Sequence, residues 1–200
     1  MLKIGITGGI GTGKTTVCKI FETLGIPVFH ADEESKKILM HDAAVHDHLK
    51  KIFGEEIFSG GAPDRKKIAD IVFNSKEKLH QLNSILHPET IRKSEEWFAG
   101  LRDIPYAIKE AALIFEIGAE KFLNKVIVVS APETLCIERI MKRDKTSEKE
   151  VRSRIKNQMD QKIKEGKADF LVTNDDSKSL IPQVMKIHDQ LLKQAKAPVS

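Results

Sequence analysis

The residues best suited to chemistry stand at the front of the chain, Gly8-Gly9-Ile10-Gly11-Thr12-Gly13-Lys14-Thr15. They satisfy Gly-x-x-x-x-Gly-Lys-Ser/Thr at every fixed position. Glycines lacking a β-carbon let backbone N–H groups turn inward around phosphate oxygens. A helix starting at Lys14 adds its own unpaired N–H groups and partial positive charge. In such a loop Lys14 neutralises the β- and γ-phosphates of a nucleotide, and the Thr15 hydroxyl ligates Mg²⁺. The expected nucleotide contacts are therefore Gly9, Gly11, Thr12, Gly13, Lys14, Thr15 and Thr16. The alternative is a glycine-rich turn that matches by accident, and the flanks speak against it. Leu2, Ile4 and Ile6 read as a buried strand before the loop. Val17, Cys18, Ile20, Phe21 and Leu24 follow near helical spacing until Gly25 stops the helix.

Acids at strand ends are the next candidates. Pro27-Val28-Phe29-His30 reads as a short second strand with Asp32 just beyond it. In open parallel sheets ligands collect beyond the carboxyl ends of strands. Asp32 is thus a general base, a metal ligand, or simply the N-cap of a helix beginning near Glu33. His30, with no visible metal partner, reads as packing or surface. Residues 104–110 return to strand character, and Glu110 near their end stands where a ligand for Mg²⁺-bound water belongs in a phosphate-loop protein. Glu116 follows, holding active-site loops or capping a turn.

Lys125-Val126-Ile127-Val128-Val129 is the clearest strand, and Ser130 reads as the cap of the helix after it. That helix carries Arg139 and Arg143, four apart and on one face. Charge is dense from Lys142 to Lys167, including Arg152, Arg154, Lys156, Gln158, Lys162 and Lys164. A solvated helical face is one reading. A mobile basic hairpin closing over phosphates is the other, favoured because the loop at 8–15 calls for triphosphate charge to be neutralised.

The elements around these residues suit one globular domain of 200 residues, 40% hydrophobic and 31% charged. No apolar run is long enough to cross a bilayer. The N-terminus enters its first strand at once, so no signal peptide is expected. Cys18 and Cys136, far apart on predicted helices, read as buried thiols of a reducing compartment. A net charge of +4 suits either nucleic acid or a polyanionic small substrate. From about 33 to 97 the apolar spacing is mostly helical, broken by a loop at 59–63, which reads as a helical insertion between strands. Within it Asp64-Arg65 opens a helix, and His87-Pro88 ends one helix and starts another. Arg65 suits a phosphate contact and a salt bridge equally; His87 reads locally as a plain helix-end residue. Residues 169–172 form the last strand, 174–176 a turn, 180–192 a closing amphipathic helix, and 193–200 a frayed tail.

Taken together, these residues resemble the dephospho-CoA kinase family of phosphate-loop proteins. The loop from Thr7 to Thr15 resembles the family's Thr-Gly-Gly-Ile-Gly-Ser-Gly-Lys-Ser, and His30-Ala31-Asp32 its Asp-Ala-Asp. Asp64-Arg65 and His87-Pro88 match marks of its helical CoA-binding region, and Leu113-Ile114-Phe115-Glu116 its Leu-Leu-Phe-Glu. Arg139-x-x-x-Arg143-Asp144 and Arg154-Ile155-x-x-Gln158 resemble its lid, Ala168-Asp169 and Asn174 its adenine-side segment. His30 replaces an acid, Ala112 a proline and Asp176 a glycine.

The resemblance implies an α/β phosphate-loop fold with a five-stranded parallel sheet in the order 2-3-1-4-5. Its core would span 1–32, 98–139 and 167–200, its helical substrate region 33–97 and its lid 140–166. It implies ATP and Mg²⁺, with Asp32, Lys14, Arg139 and Arg143 catalytic, and Arg143 and Asn174 joining the loop in binding ATP. Dephospho-CoA would meet Asp32, Arg65, His87, Glu116 and Arg154; Thr15 and Glu110 would serve the metal. A cytoplasmic monomer or weak oligomer is expected, with no nucleic acid or membrane partner. The rivals are another small-molecule kinase of this fold and a nucleic-acid-binding NTPase.

Overall fold

The computed structural model describes residues 1–196. Five parallel strands make one sheet: β1 (Leu2–Thr7), β2 (Val28–His30), β3 (Tyr106–Glu110), β4 (Lys125–Ser130) and β5 (Phe170–Thr173). Their order is β2-β3-β1-β4-β5, as the resemblance implied. β1 is central, with Ile6 opposite Glu110 on one side and Ile127 on the other. A strand covered on both faces must be apolar throughout, and Val126, Ile127, Val128 and Val129 are all buried.

The chain divides into two compact units, Met1–His30 with Leu101–Ser200, and Ala31–Gly100. In the first, the helices Lys14–Thr23 and Leu180–Lys196 bury Val17, Phe21, Val184, Ile187 and Leu191 with Ile4, Ile6, Ile108, Ile127 and Val172 of the sheet. Tyr106 is fully buried there, its hydroxyl 2.6 Å from His188 Nδ1. Both cysteines are buried free thiols, and burial pushes that of Cys18 far up. The frayed tail expected over 193–200 is corrected in part. The last helix continues through Lys196, carried by the buried stripe Val184, Ile187 and Leu191, while 197–200 lie outside the described residues.

The second unit is helical: Ala31–His41, Ala43–Phe53, Arg65–Asn74 and Lys76–Gly100. Ile38, Leu49, Phe53, Ile57, Ile68, Leu82 and Leu86 form its core. The loop expected at 59–63 is the turn of a two-residue antiparallel hairpin, Phe58–Ser59 with Ala62–Pro63. A further correction concerns Pro88, which lies inside one helix of 25 residues and does not separate two. Proline removes a backbone bond, but its ring faces solvent, and the stripe Leu82, Leu86, Thr90, Ser94 and Phe98 stays buried at every fourth residue. Thr90 Oγ1 donates to Leu86 O, so this buried hydroxyl is satisfied within its own helix. No described helix is long and apolar enough to cross a membrane.

Candidate active site

The phosphate-binding pattern lies where β1 ends and the first helix begins. Gly13 has φ 92°, and a β-carbon there would sit 2.2 Å from Asn174 Nδ2. That amide donates to Thr12 O at 2.8 Å, so the loop is pinned from the end of β5. A β-carbon on Gly8 would meet Val129 O at 2.3 Å. At Gly8 the obstacle is a backbone carbonyl that cannot give way, and at Gly13 the left-handed φ itself favours glycine. Lys14 is the first residue of the helix and is buried, with Nζ donating to Gly8 O and Gly9 O, each at 3.1 Å. Thr12 is buried and its hydroxyl bonds Gly9 O; Thr15 and Thr16 stand exposed on the first helical turn. No side chain caps this helix, which is how an anion-receiving N-terminus is built.

Glu110 closes β3 beside β1, buried, with its Oε2 3.2 Å from His30 Nδ1. His30 Nε2 in turn lies 3.1 Å from Glu22 Oε1. His30 therefore bridges two carboxylates, a role not legible from its place in the sequence. Burial alone would lower its pKa, but the bonds from Glu110 and Glu22 outweigh burial and raise it. Thr15 and Glu110 are hard oxygen donors, which is what Mg²⁺ accepts when phosphates supply its remaining ligands. No group of three or more His, Cys, Asp or Glu able to hold a metal occurs among the described residues. The oxygen donors present fit Mg²⁺.

The helix Glu133–Asp144 carries both expected arginines, with different partners. Arg139 donates to Asn174 O at 3.1 Å and to Asp176 Oδ1 at 2.8 Å, clamping the turn after β5. Asp176 has φ 64°, a left-handed conformation that explains why glycine is usual there and how aspartate is tolerated. Arg143 binds Asp144 through Nε and Nη2, and Arg154 reaches the same carboxylate at 3.0 Å. Together the arginines hold the Asp144 pKa low. Ser130 does not cap this helix as expected. Pro132 occupies the N-cap, and Ser130 Oγ donates instead to Glu165 Oε1.

The charged segment forms two short helices, Glu148–Lys156 and Gln161–Gly166. The first has a capping box of Ser147 and Glu150 and buries Val151 with Ile137 and Ile140. Lys164 was expected among exposed cations; it is fully buried. Its Nζ lies 2.7 Å from Glu116 Oε1 and donates to Ala112 O at 3.0 Å. Glu116 also accepts from Met159 N at 2.9 Å. The structure places Glu116 as an anchor of this segment, one of the two options its sequence left open. Gly9 N donates to Gln161 Oε1 at 3.0 Å and Ile10 N to Gln158 Oε1 at 2.9 Å. Gln161 had no signal in the sequence, because a glutamine's partner across the fold leaves no local pattern.

In the helical unit, Asp32 lies within the first turn of Ala31–His41, which starts earlier than expected, so Asp32 is not the N-cap. His87 is partly buried on Lys76–Gly100; burial lowers its pKa, with the Asp32 carboxylate opposing, so the ring is neutral at neutral pH. Asp64 caps Arg65–Asn74 by accepting from Lys66 N and Lys67 N. Arg65 is exposed and forms no salt bridge among the described residues.

A central parallel strand running into this loop, with Lys14 folded into it, defines a phosphate-loop protein of the kinase type. The dephospho-CoA kinase family model matches residues 2–179. A dephospho-CoA kinase of Bacteroides fragilis is 36% identical over 186 residues, 93% of this chain and 91% of the relative. A solved Thermus thermophilus structure superposes with a TM-score of 0.82 at 30% identity, covering 98% of each chain. The dephospho-CoA kinase of Campylobacter jejuni gives 0.70 at 31% identity, over 96% of this chain and 98% of that one. The chain belongs to the dephospho-CoA kinase family.

Proposed function

We propose that this protein transfers the γ-phosphoryl of ATP to the ribose 3′-hydroxyl of dephospho-CoA, releasing CoA and ADP. The observation that carries the reading is the loop Gly8–Thr15 on the central strand of a chain in this family. Lys14, already inside the loop, moves its ammonium from the Gly8 and Gly9 carbonyls to the β- and γ-phosphate oxygens. Asp32 accepts the proton of the 3′-hydroxyl as that oxygen bonds phosphorus and the bond to the ADP oxygen breaks. Asn174 and Arg139 hold the adenine-side turn. Arg143 leaves Asp144 to meet charge on the transferring phosphoryl. Thr15 and Glu110 would hold Mg²⁺, which neutralises phosphate charge when bound. Arg65 and His87 serve the acceptor, Arg65 as an exposed cation for its phosphates and His87 as a neutral ring.

Residues 140–166 act as the lid, and excluding water favours transfer over hydrolysis. Pairing of Arg143 and Arg154 with Asp144, and of Arg152 with Glu148 and Glu133, argues against an open basic surface for nucleic acid. The test is a coupled assay of ADP formation with ATP, Mg²⁺ and dephospho-CoA, omitting each in turn. Activity that needs all three supports the reading. Equal turnover with a nucleoside monophosphate in place of dephospho-CoA would overturn the assignment of acceptor.

A further inference from the structure

The outer arm of the phosphate loop is held from the lid segment by two glutamines, a contact the transfer chemistry does not call on. Ile10 N donates to Gln158 Oε1 at 2.9 Å and Gly9 N to Gln161 Oε1 at 3.0 Å. The Gln161 amide has one consistent orientation. Its Nε2 donates to Val129 O and to Glu165 Oε1, both at 3.3 Å, and Glu165 also accepts from Ser130 Oγ. Reversed, it would set a donor against the Gly9 N–H and an oxygen against a carbonyl and a carboxylate. Between the two glutamines, Met159 N donates to Glu116, and Glu116 pairs with buried Lys164. The lid segment is thus fastened to the core at 158–161, and both fastenings nearest the loop end on loop amides.

We propose that Gln158 and Gln161 are positioning residues that register the lid on the phosphate loop, so that the lid's cations reach the triphosphate in one geometry. The residue type supports this. An amide oxygen accepts from a backbone N–H as a carboxylate does, but adds no negative charge beside a triphosphate. Gly8, Gly11 and Gly13 all have positive φ, so the loop is built from residues with little conformational preference of their own. The side chains of Thr12, Lys14 and Asn174 bond carbonyls of the loop, whereas Gln158 and Gln161 restrain its outer amides, Ile10 N and Gly9 N. The catalytic part of this inference rests on the kinase reading above; the tie itself does not.

The experiment uses the full chain with Gln158→Leu, Gln161→Leu, both together, and Gln158→Glu. Amide hydrogen exchange, read by NMR without ligand, should accelerate about tenfold or more at Ile10 in Gln158→Leu and at Gly9 in Gln161→Leu. Gln158→Glu should keep exchange at Ile10 slow while weakening ATP binding roughly tenfold through charge repulsion. In the double leucine variant, transfer should fall about a hundredfold, as for a misplaced reacting group, while ATP hydrolysis without acceptor rises relative to transfer. Unchanged exchange at both amides overturns the tie. Faster exchange with wild-type transfer and a wild-type hydrolysis ratio overturns its role in positioning. If the double variant does not fold, Gln158→Glu decides, since its slow exchange and weakened ATP binding are required together. Lack of transfer by the wild-type protein overturns the kinase reading, and the exchange rates then judge the tie separately.

Discussion

The ammonium of Lys164, fully buried, lies 2.7 Å from Glu116 Oε1. This joins the segment before the last strand to the stretch after β3, residues 48 positions apart in sequence. Lys164 also donates to Ala112 O, and Glu116 accepts from Met159 N, so the pair is embedded in backbone bonds.

Removing one member of such a pair leaves a buried charge uncompensated, which is costlier than the pair is worth. Lys164→Ala is expected to destabilise the protein by about 3 kcal/mol, a drop of roughly 6–12 °C in thermal midpoint for a chain of this size. Lys164→Met with Glu116→Leu should recover part of that loss, since no charge is then stranded. A wild-type midpoint for Lys164→Ala would refute the structural role.

Asp32→Asn is expected to leave the fold and Mg²⁺-ATP binding nearly intact and to lower turnover about a hundredfold or more, the scale of a positioned base. Asp32 sits in a first helical turn and not at the N-cap, so the change should leave the thermal midpoint close to wild type. Turnover on dephospho-CoA across a range of Mg²⁺ separates the possibilities. Recovery at high Mg²⁺ marks a metal-holding role, and near wild-type turnover moves the base elsewhere.

Arg139 and Arg143 should part company on substitution. Arg139→Ala releases the turn at Asn174–Asp176 and is expected to raise the ATP dissociation constant more than it lowers turnover. Arg143→Ala should do the reverse, because a cation meeting charge that develops in the transition state acts mainly on rate. ATP titration calorimetry with steady-state turnover measures both. If Arg143→Ala changes neither, that residue is part of a solvated face.

His87 gives a pH dependence of known sign. Burial lowers its folded-state pKa below the ordinary value of 6.5, so the unfolded chain binds the extra proton first. Its contribution is therefore complete above pH 6.5 and is lost as pH falls from there toward the lowered folded value. The thermal midpoint followed downward from pH 7 should fall less in His87→Asn than in the wild type. Identical slopes would remove His87 as the cause.

The sequence by itself determined the main strands and the phosphate loop, because both are written in local patterns, while the order of the strands in the sheet followed from the family resemblance. A buried strand, a glycine pattern with Lys14 and Thr15, and a following helix are contiguous, and β-branched runs such as Val126–Val129 mark strands wherever they pack. Pro88 misled because a local breaker was overridden by a stripe buried along the whole helix. Only the tertiary structure decided what the polar side chains do. Lys164 looked like one more surface cation until burial paired it with Glu116. His30 looked inert until the neighbouring strand set Glu110 opposite it and the first helix supplied Glu22. Gln158 and Gln161 meet Gly9 and Ile10 across about 150 residues of chain. A hydrogen bond between residues that far apart in sequence depends on the folded path between them, and no local spacing encodes it.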